Sequence, residues 1–356
     1  MSISYRPFLD FVLIVSCVVF FGCGARLKRP VHIQSVLTLS YPGKVRFFTL
    51  EANGALGKEA IVSLGNSGEE ATLHDVSPQV FIAVFSDRVE TYRKTARFLP
   101  PYFTRIATFP ANCIKGSTHR RGAVFIWNSG CAGGANYLLE VDGSTGAIVA
   151  YGNGGVYTTD RFLFSYSGGY LFAPNFIAGN ITAYLHDSSA HVFLGQVSGP
   201  ACNGSFCRMA AVFPDEHVVV ARSPADVVDL YSYDSSGITI LKTLGAVDGI
   251  LDSPERPVAS VQGDQALVLY RGINEMKITL LDVGIETMGV RATSDLVNTI
   301  NHAAFSPDGK NIYVERDSRE LIRIVIDETN LSVVDARSLE EASVPADMQI
   351  VRFYLD

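Results

Sequence analysis

Four basic side chains recur at equivalent positions of successive sequence units and could together bind an anion: Arg161, Arg208, Arg256 and His302. A guanidinium group pairs with a carboxylate or phosphate through two parallel hydrogen bonds, so a ring of such groups suits a small carboxylated or phosphorylated ligand. The same side chains could instead pair with neighbouring acids such as Asp160 and Glu255, or point into solvent. Whether the four side chains bind an anion, pair with acids or face solvent depends on the secondary-structure elements that carry them.

Those elements have the signals of β-strands. Short apolar runs with β-branched and aromatic residues alternate with Gly, Asn, Asp, Ser and Pro, and helical periodicity is almost absent. The segment AAFSPDGKNIYV at 303–314 returns as AAVFPDEHVVVA at 210–221 and as ASVQGDQALVLY at 259–270. Their aspartates, Asp215, Asp264 and Asp308, lie 49 and 44 residues apart. A period in the mid-forties with four short strands per unit indicates a β-propeller.

Seven such units cover the chain, at about 34–64, 71–109, 112–152, 156–198, 207–244, 256–293 and 299–337. In the last unit we predict strands at 299–305, 311–316, 320–327 and 331–337, with Asp308 and Gly309 forming the first turn. The first unit offers only three strands, and the chain ends in an unassigned MQIVRFYLD. We therefore predict an all-β fold over 31–356: one propeller of about seven four-stranded blades, in which the C-terminal strand fills the innermost place of the first blade.

Residues 1–30 have the pattern of an export signal. Arg6 precedes an apolar stretch at 11–22, which is shorter than the roughly 20 residues that a spanning helix needs. FFGC at 20–23 resembles a bacterial lipobox and predicts lipidation of Cys23, while IVSC at 14–17 is a second match. Cleaved soluble secretion and an uncleaved anchor are the alternatives. We expect an exported protein, either a cell-envelope lipoprotein held to the membrane by its lipid or a secreted protein.

Four further cysteines follow the signal segment: Cys113, Cys131, Cys202 and Cys207. An even number in an exported chain suggests two disulfides, and in a propeller all four would lie on one face. We predict that Cys113 pairs with Cys131 and that Cys202 pairs with Cys207; buried free thiols are the alternative. Their spacing is not that of a zinc site, so we predict no metal and no cofactor.

Two segments, VRFFTLEANGALGKEAI at 45–61 and AAFSPDGKNIYVERDSRELIRIVIDETNLSVV at 303–334, resemble the seven-bladed lactonase-like and YVTN-type propellers. The SPDGK turn is shared with WD40-like repeats. The resemblance implies the fold, and the superfamily includes sugar-lactone hydrolases, muconate-cyclising enzymes and exported proteins of no known activity. No catalytic motif of those enzymes aligns with this sequence, so the resemblance assigns no catalytic residue.

A net charge of -7 without a long basic run argues against nucleic acid as a partner. The first functional hypothesis is an exported, membrane-tethered binding or assembly module for an envelope protein, a secreted protein or a small anionic ligand. The alternative is a lactonase-like hydrolase or cyclising enzyme acting on a small carboxylated or phosphorylated substrate. Because one fold serves many functions, the residues of the site have to decide between them.

Overall fold

The computed structural model describes residues 33–95, 100–128, 136–152, 162–175, 180–187, 192–200, 206–214, 216–223, 225–234, 236–270, 276–296, 300–316, 319–339 and 343–354. The predicted lipidation site, Cys23, lies outside them. Within these ranges no helix is both long enough and apolar enough to cross a membrane.

The chain forms seven antiparallel sheets of four strands each, the blades of a propeller. Blade 1 contains the last strand, β28 (Asp347–Tyr354), followed by β1 (Ile33–Tyr41), β2 (Lys44–Leu50) and β3 (Leu56–Ser63). Blade 2 contains β4 (Thr72–Asp75), β5 (Val80–Val84), β6 (Arg88–Lys94) and β7 (Phe103–Pro110). Blade 3 contains β8 (Gly116–Arg120), β9 (Ala123–Trp127), β10 (Tyr137–Val141) and β11 (Ile148–Gly152).

The remaining four blades repeat this order from the innermost to the outermost strand. Blade 4 contains β12 (Leu163–Phe164), β13 (Tyr170–Asn175), β14 (Asn180–Asp187) and β15 (Val192–Pro200). Blade 5 contains β16 (Phe206–Val212), β17 (His217–Ser223), β18 (Val227–Asp234) and β19 (Gly237–Leu244), and a 3-10 turn at Ala246–Asp248 follows it. Blade 6 contains β20 (Pro254–Ala259), β21 (Gln265–Tyr270), β22 (Met276–Val283) and β23 (Met288–Leu296). Blade 7 contains β24 (Ile300–Phe305), β25 (Asn311–Arg316), β26 (Glu320–Asp327) and β27 (Asn330–Ser338).

The predicted fold is confirmed. The strands predicted for the last unit agree with β24 to β27 to within one residue at each end. Strand β28 pairs antiparallel with β1, with Val351 opposite Val36, and contacts the innermost strands β4 and β24 of the two neighbouring blades. The C-terminal strand therefore closes the ring from the innermost place of blade 1, which is the predicted arrangement.

The first turn of blades 6 and 7 is fixed by hydrogen bonds from its own side chains. In blade 7 the Ser306 hydroxyl donates to the Asp308 carboxylate, and the amide of Asn311 donates to Ser306 Oγ at 2.9 Å. In blade 6 the hydroxyl of Ser260 donates to Asp264 in the same way, at 3.0 Å. These aspartates are turn residues, as the sequence predicts.

Central strands are apolar over their whole length because each blade is covered on both faces by its neighbours. All five residues of β5, VFIAV, are buried. Between blades 6 and 7, for example, Leu267 and Leu280 pack in one cluster with Ile312 and Ile324. Strands at the periphery, such as β27, have mostly exposed or half-buried residues. The core is thus a set of apolar layers between blades, arranged around a central channel.

Candidate functional site

A cavity of about 340 Å³ opens where the innermost strands begin. We call it the mouth cavity. Its wall includes the first residues of three innermost strands, Thr72 of β4, Gly116 of β8 and Leu163 of β12, together with side chains from β16 and β20. Five neighbouring blades therefore contribute to one concave surface at the end of the channel, which is where ligand pockets of ring-shaped folds form.

Arg208 supplies the most distinctive polar group on this wall. It is the third residue of β16, and its Nη1 atom is buried and has no hydrogen-bond partner among the described residues. Leaving a buried charged donor unpaired costs free energy, typically about 1–3 kcal/mol or more. An anionic group in the cavity would satisfy this donor.

Arg256 lies on the same wall, at the third position of β20. Its side chain is exposed, and Nη1 donates a hydrogen bond to the carbonyl of Asn301. The structure therefore brings two of the four predicted basic residues together on one cavity. Arg161, with its neighbour Asp160, lies outside the described residues.

His302, the fourth predicted residue, does not contribute a positive charge. Burial and the nearby Arg256 guanidinium together lower its pKa to about 4, and the hydrogen bond to the Pro345 carbonyl acts in the opposite direction. The Nε2 atom lies 2.9 Å from Pro345 O and must donate to it, because a carbonyl oxygen only accepts. His302 is thus neutral at physiological pH and orders the chain segment that leads into β28.

Another part of the wall is apolar. The Phe162 ring lies 5.2 Å from the Trp127 ring, measured between centroids, and both line the cavity. Gly116 is required beside them, because a Cβ atom at this position would lie 2.3 Å from the Trp127 ring. An apolar surface with a few converging polar groups is typical of a small-molecule site.

A serine and a histidine meet on the wall between blades 2 and 3. Ser117 Oγ of β8 lies 2.8 Å from His74 Nε2 of β4. His74 is 7% exposed, and burial together with the nearby His119 lowers its pKa to about 3, so its ring is neutral. The His119 ring lies 5.6 Å from it, and His119 Nε2 accepts a hydrogen bond from the Gly122 amide at 3.2 Å.

No family model and no curated protein matches the sequence. The Pseudomonas aeruginosa periplasmic gluconolactonase superimposes with a TM-score of 0.66 at 16% identity, covering 90% of this chain and 99% of that one. A candidate 6-phosphogluconolactonase of Bacteroides fragilis gives a TM-score of 0.65 at 12% identity, with 91% and 98% covered. A Desulfotomaculum acetoxidans protein of unknown function gives 0.65 at 12%, with 89% and 98% covered.

The protein has the fold of the lactonase-like seven-bladed propellers. At these identities the likeness establishes the architecture alone, so the chemistry of this propeller has to come from its own residues.

Further along β4 an ion-pair network connects neighbouring innermost strands, with Lys94 buried and Arg352 partly exposed. Lys94 pairs with Asp75, and Arg352 Nε of β28 donates to the other oxygen of Asp75 at 2.6 Å. Burial lowers the pKa of Lys94 to about 8 against the opposing effect of Asp75. This network joins blade 1 to blade 2, and its charges are already satisfied by one another.

Asp347 makes a second connection between the same blades. Its Oδ2 atom accepts a hydrogen bond from the Leu73 amide at 2.9 Å, and burial raises its pKa to about 7. The bond fixes the start of β28 beside the start of β4. Both connections therefore strengthen the closure of the ring.

The predicted disulfides stay predictions. Cys113 lies between β7 and β8, and Cys207 lies in β16. Cys131 and Cys202 lie outside the described residues, so neither pairing is tested.

Within the described ranges, no three His, Cys, Asp or Glu side chains are grouped to hold a metal ion. His186 is buried, and its Nδ1 atom lies 2.7 Å from Gly168 O.

Sequence reasoning missed the contact between Ser117 and His74. The two residues are 43 positions apart in different blades, and neither belongs to a local catalytic motif. The available signal was positional: both lie near the start of an innermost strand, as do the predicted arginines.

Proposed function

We propose that the protein binds a small carboxylated or phosphorylated molecule in the mouth cavity. The observation that carries this proposal is the buried Nη1 of Arg208, which has no partner in the described part of the chain. The guanidinium of Arg256 adds a second positive charge on the same wall. A planar guanidinium with free donors is suited to bidentate pairing with a carboxylate or phosphate.

The size of the cavity supports a small ligand. About 340 Å³ lies near the lower end of the range, roughly 300–1,000 Å³, that small-molecule sites occupy. Apolar contact with Trp127 and Phe162 and ionic contact with the arginines would together orient a molecule that has an anionic end and a less polar body.

Isothermal titration calorimetry with gluconate 6-phosphate, gluconate and neutral glucose tests the proposal. We expect the two anions to bind and glucose not to bind. The Arg208→Ala variant should bind at least about tenfold more weakly, since a hydrogen bond to a charged group contributes about 1.5–3 kcal/mol. Arg291→Ala is the matched control, because Arg291 pairs with Asp282 near the periphery of blade 6. Equal affinity of Arg208→Ala and the parent protein, or no binding of either anion, would overturn the proposal.

Hydrolysis of a sugar lactone is the second candidate function. It is favoured by the overall likeness to a periplasmic gluconolactonase and to a candidate 6-phosphogluconolactonase. The rates at which glucono-lactone and 6-phosphogluconolactone are hydrolysed, compared with their spontaneous rates, distinguish a lactonase from a protein that only binds the anion. If the acids bind but neither lactone is hydrolysed faster than spontaneously, the protein is a binding protein and not a lactonase.

We further propose that this propeller is exported and, through Cys23, tethered to an envelope membrane, where it acts on a small anion or an envelope partner. The support is the apolar stretch at 11–22 followed by Cys23. Intact mass of the membrane-extracted protein should show an acylated chain that begins at Cys23. An unprocessed chain starting at Met1 would contradict this proposal without affecting the ligand site.

A further inference from the structure

We propose that Ser117 and His74 form a nucleophile and general-base pair, which accepts the acyl group of an ester or lactone held in the mouth cavity. The inference rests on the proposed anion-binding function, because the substrate would be positioned by Arg208 and Arg256. It goes beyond that function by naming the reacting group, the residues that attack it and the covalent intermediate.

The geometry provides the two groups that acyl transfer needs. Ser117 Oγ and His74 Nε2 are 2.8 Å apart, within the range for proton transfer between a nucleophile and its base. Ser117 lines the mouth cavity, so a bound molecule can reach its hydroxyl. His74 is buried, contacts Ser117 and does not itself line the mouth cavity.

Ser117 also lies at the boundary between two cavities. A second cavity of about 200 Å³ shares Thr72, Gly116 and Ser117 with the mouth cavity and extends towards Lys115. A substrate whose scissile bond lies at Ser117 could place its anionic acyl part against the arginines and its alcohol part in this second cavity. The substrate class is therefore an ester or lactone that carries a carboxylate or phosphate on the acyl side.

The protonation state of the pair is set by its surroundings. Burial and the neighbouring ring of His119 keep His74 neutral. His119 is itself neutral, since burial lowers its pKa to about 4 against the opposing effect of Asp75. A neutral His74 with Nε2 unprotonated can accept the Ser117 proton at any pH well above 3. Its weak basicity makes the pair slower than a histidine tuned near neutrality.

The reaction balances without any further reagent. Ser117 Oγ attacks the carbonyl carbon as its proton passes to His74 Nε2, and the resulting oxyanion lies in a cavity lined by two guanidinium groups. The bond between the carbonyl carbon and the alcohol oxygen breaks, and the alcohol takes the proton from His74. Water then attacks the acyl-Ser117 ester in the same way, which releases the carboxylic acid and restores both side chains.

The test uses the full chain and the activated anionic ester 4-nitrophenyl hydrogen adipate, whose carboxylate is too distant from the ester to form a five-membered cyclic anhydride. We expect a burst of 4-nitrophenolate and an adipoyl adduct that peptide mapping places on Ser117. Ser117→Ala should abolish the adduct, and His74→Gln should slow acylation at least about a hundredfold. Ser63→Ala, an exposed serine of the outermost strand β3, should leave both unchanged. Circular dichroism and the melting temperature establish that each variant is folded.

The pH profile provides a readout that a merely structural hydrogen bond would not give. Because His74 stays neutral, the acylation rate should be level between about pH 5 and 8, whereas a histidine with an ordinary pKa near 6.5 would lose rate below pH 6.5. An adduct on another residue, no adduct at all, or an undiminished burst in Ser117→Ala would overturn the inference.

The anion titration separates failure of this inference from failure of the proposed function. Gluconate 6-phosphate binding that is unchanged in Ser117→Ala, together with no acylation, would refute the pair and preserve the anion site. Acylation of Ser117 that is equally fast in Arg208→Ala would support the pair and contradict the anion site.

Discussion

A chain that ends at Ala346 is expected to lose cooperative folding of the whole propeller. Such a chain lacks β28, which provides the innermost strand of blade 1 and contacts the innermost strands of both neighbouring blades. Three of its side chains, Met348, Val351 and Phe353, are buried. At about 1.5–3 kcal/mol each, their loss removes about 5–9 kcal/mol, which is comparable to the total stability of a typical domain, about 5–15 kcal/mol.

Other contacts that β28 makes with its neighbours add to this loss of stability. Val351 and Phe353 pack in the layer between blades 1 and 2, whereas Met348 packs in the layer between blades 1 and 7. Removal of β28 also breaks the bond from the Leu73 amide to Asp347 and the ion pair between Arg352 and Asp75. Strand β1 would become an open edge at the centre of the ring.

Size-exclusion chromatography, near-UV circular dichroism and a urea titration measure the effect. The matched control is a chain that ends at Tyr354, which keeps all of β28 and should unfold like the parent protein. A synthetic peptide of residues 347–356 added to the shortened chain should restore part of the signal by adding the missing strand. A shortened chain with a sharp unfolding transition near the parent midpoint would contradict the closure argument.

The fold could be predicted in detail because its determinants are local and repeated. The turn at Ser306 to Asp308 is fixed by side chains within three residues, and an aspartate at the equivalent position marks the turn in blades 5 and 6. Continuous apolar runs such as VFIAV mark strands that are covered on both faces. The position of β28 followed from counting strands, since blade 1 offered only three.

The candidate site could be predicted only in part because its contacts are not local. Arg208 and Arg256 occupy equivalent positions in successive repeats, so periodicity alone was enough to place them near each other. His302 occupies a third such position, but its bond to Pro345 depends on the segment that leads into β28. The contact between Ser117 and His74 depends on how blades 2 and 3 are positioned against each other, and no repeat pattern specifies that.

Replacing Asp229 by Ala is expected to destabilise the protein by about 3–5 kcal/mol, the cost of leaving one partner of a buried ion pair alone. Asp229 in β18 is fully buried and accepts hydrogen bonds from Arg222 Nε and Thr243 Oγ1, each at 2.5 Å. The Tyr231 hydroxyl donates to the same carboxylate at 3.3 Å. Without the carboxylate, the Arg222 guanidinium remains between strands with its charge unpaired. The free energy of unfolding from urea titrations measures the loss.

An exposed pair in the next blade provides the control. Asp282 of β22 pairs with Arg291 of β23 at 2.7 Å, and its side chain is 52% exposed. Exposed pairs contribute about 0.2–1 kcal/mol, so Asp282→Ala should cost no more than that. Replacing both buried partners, as in Arg222→Met with Asp229→Leu, should recover most of the stability, because no unpaired charge then remains inside blade 5. Equal losses for Asp229→Ala and Asp282→Ala would mean that solvent reaches the buried pair, and the hydrogen-bond network of β18 would then not be a source of stability.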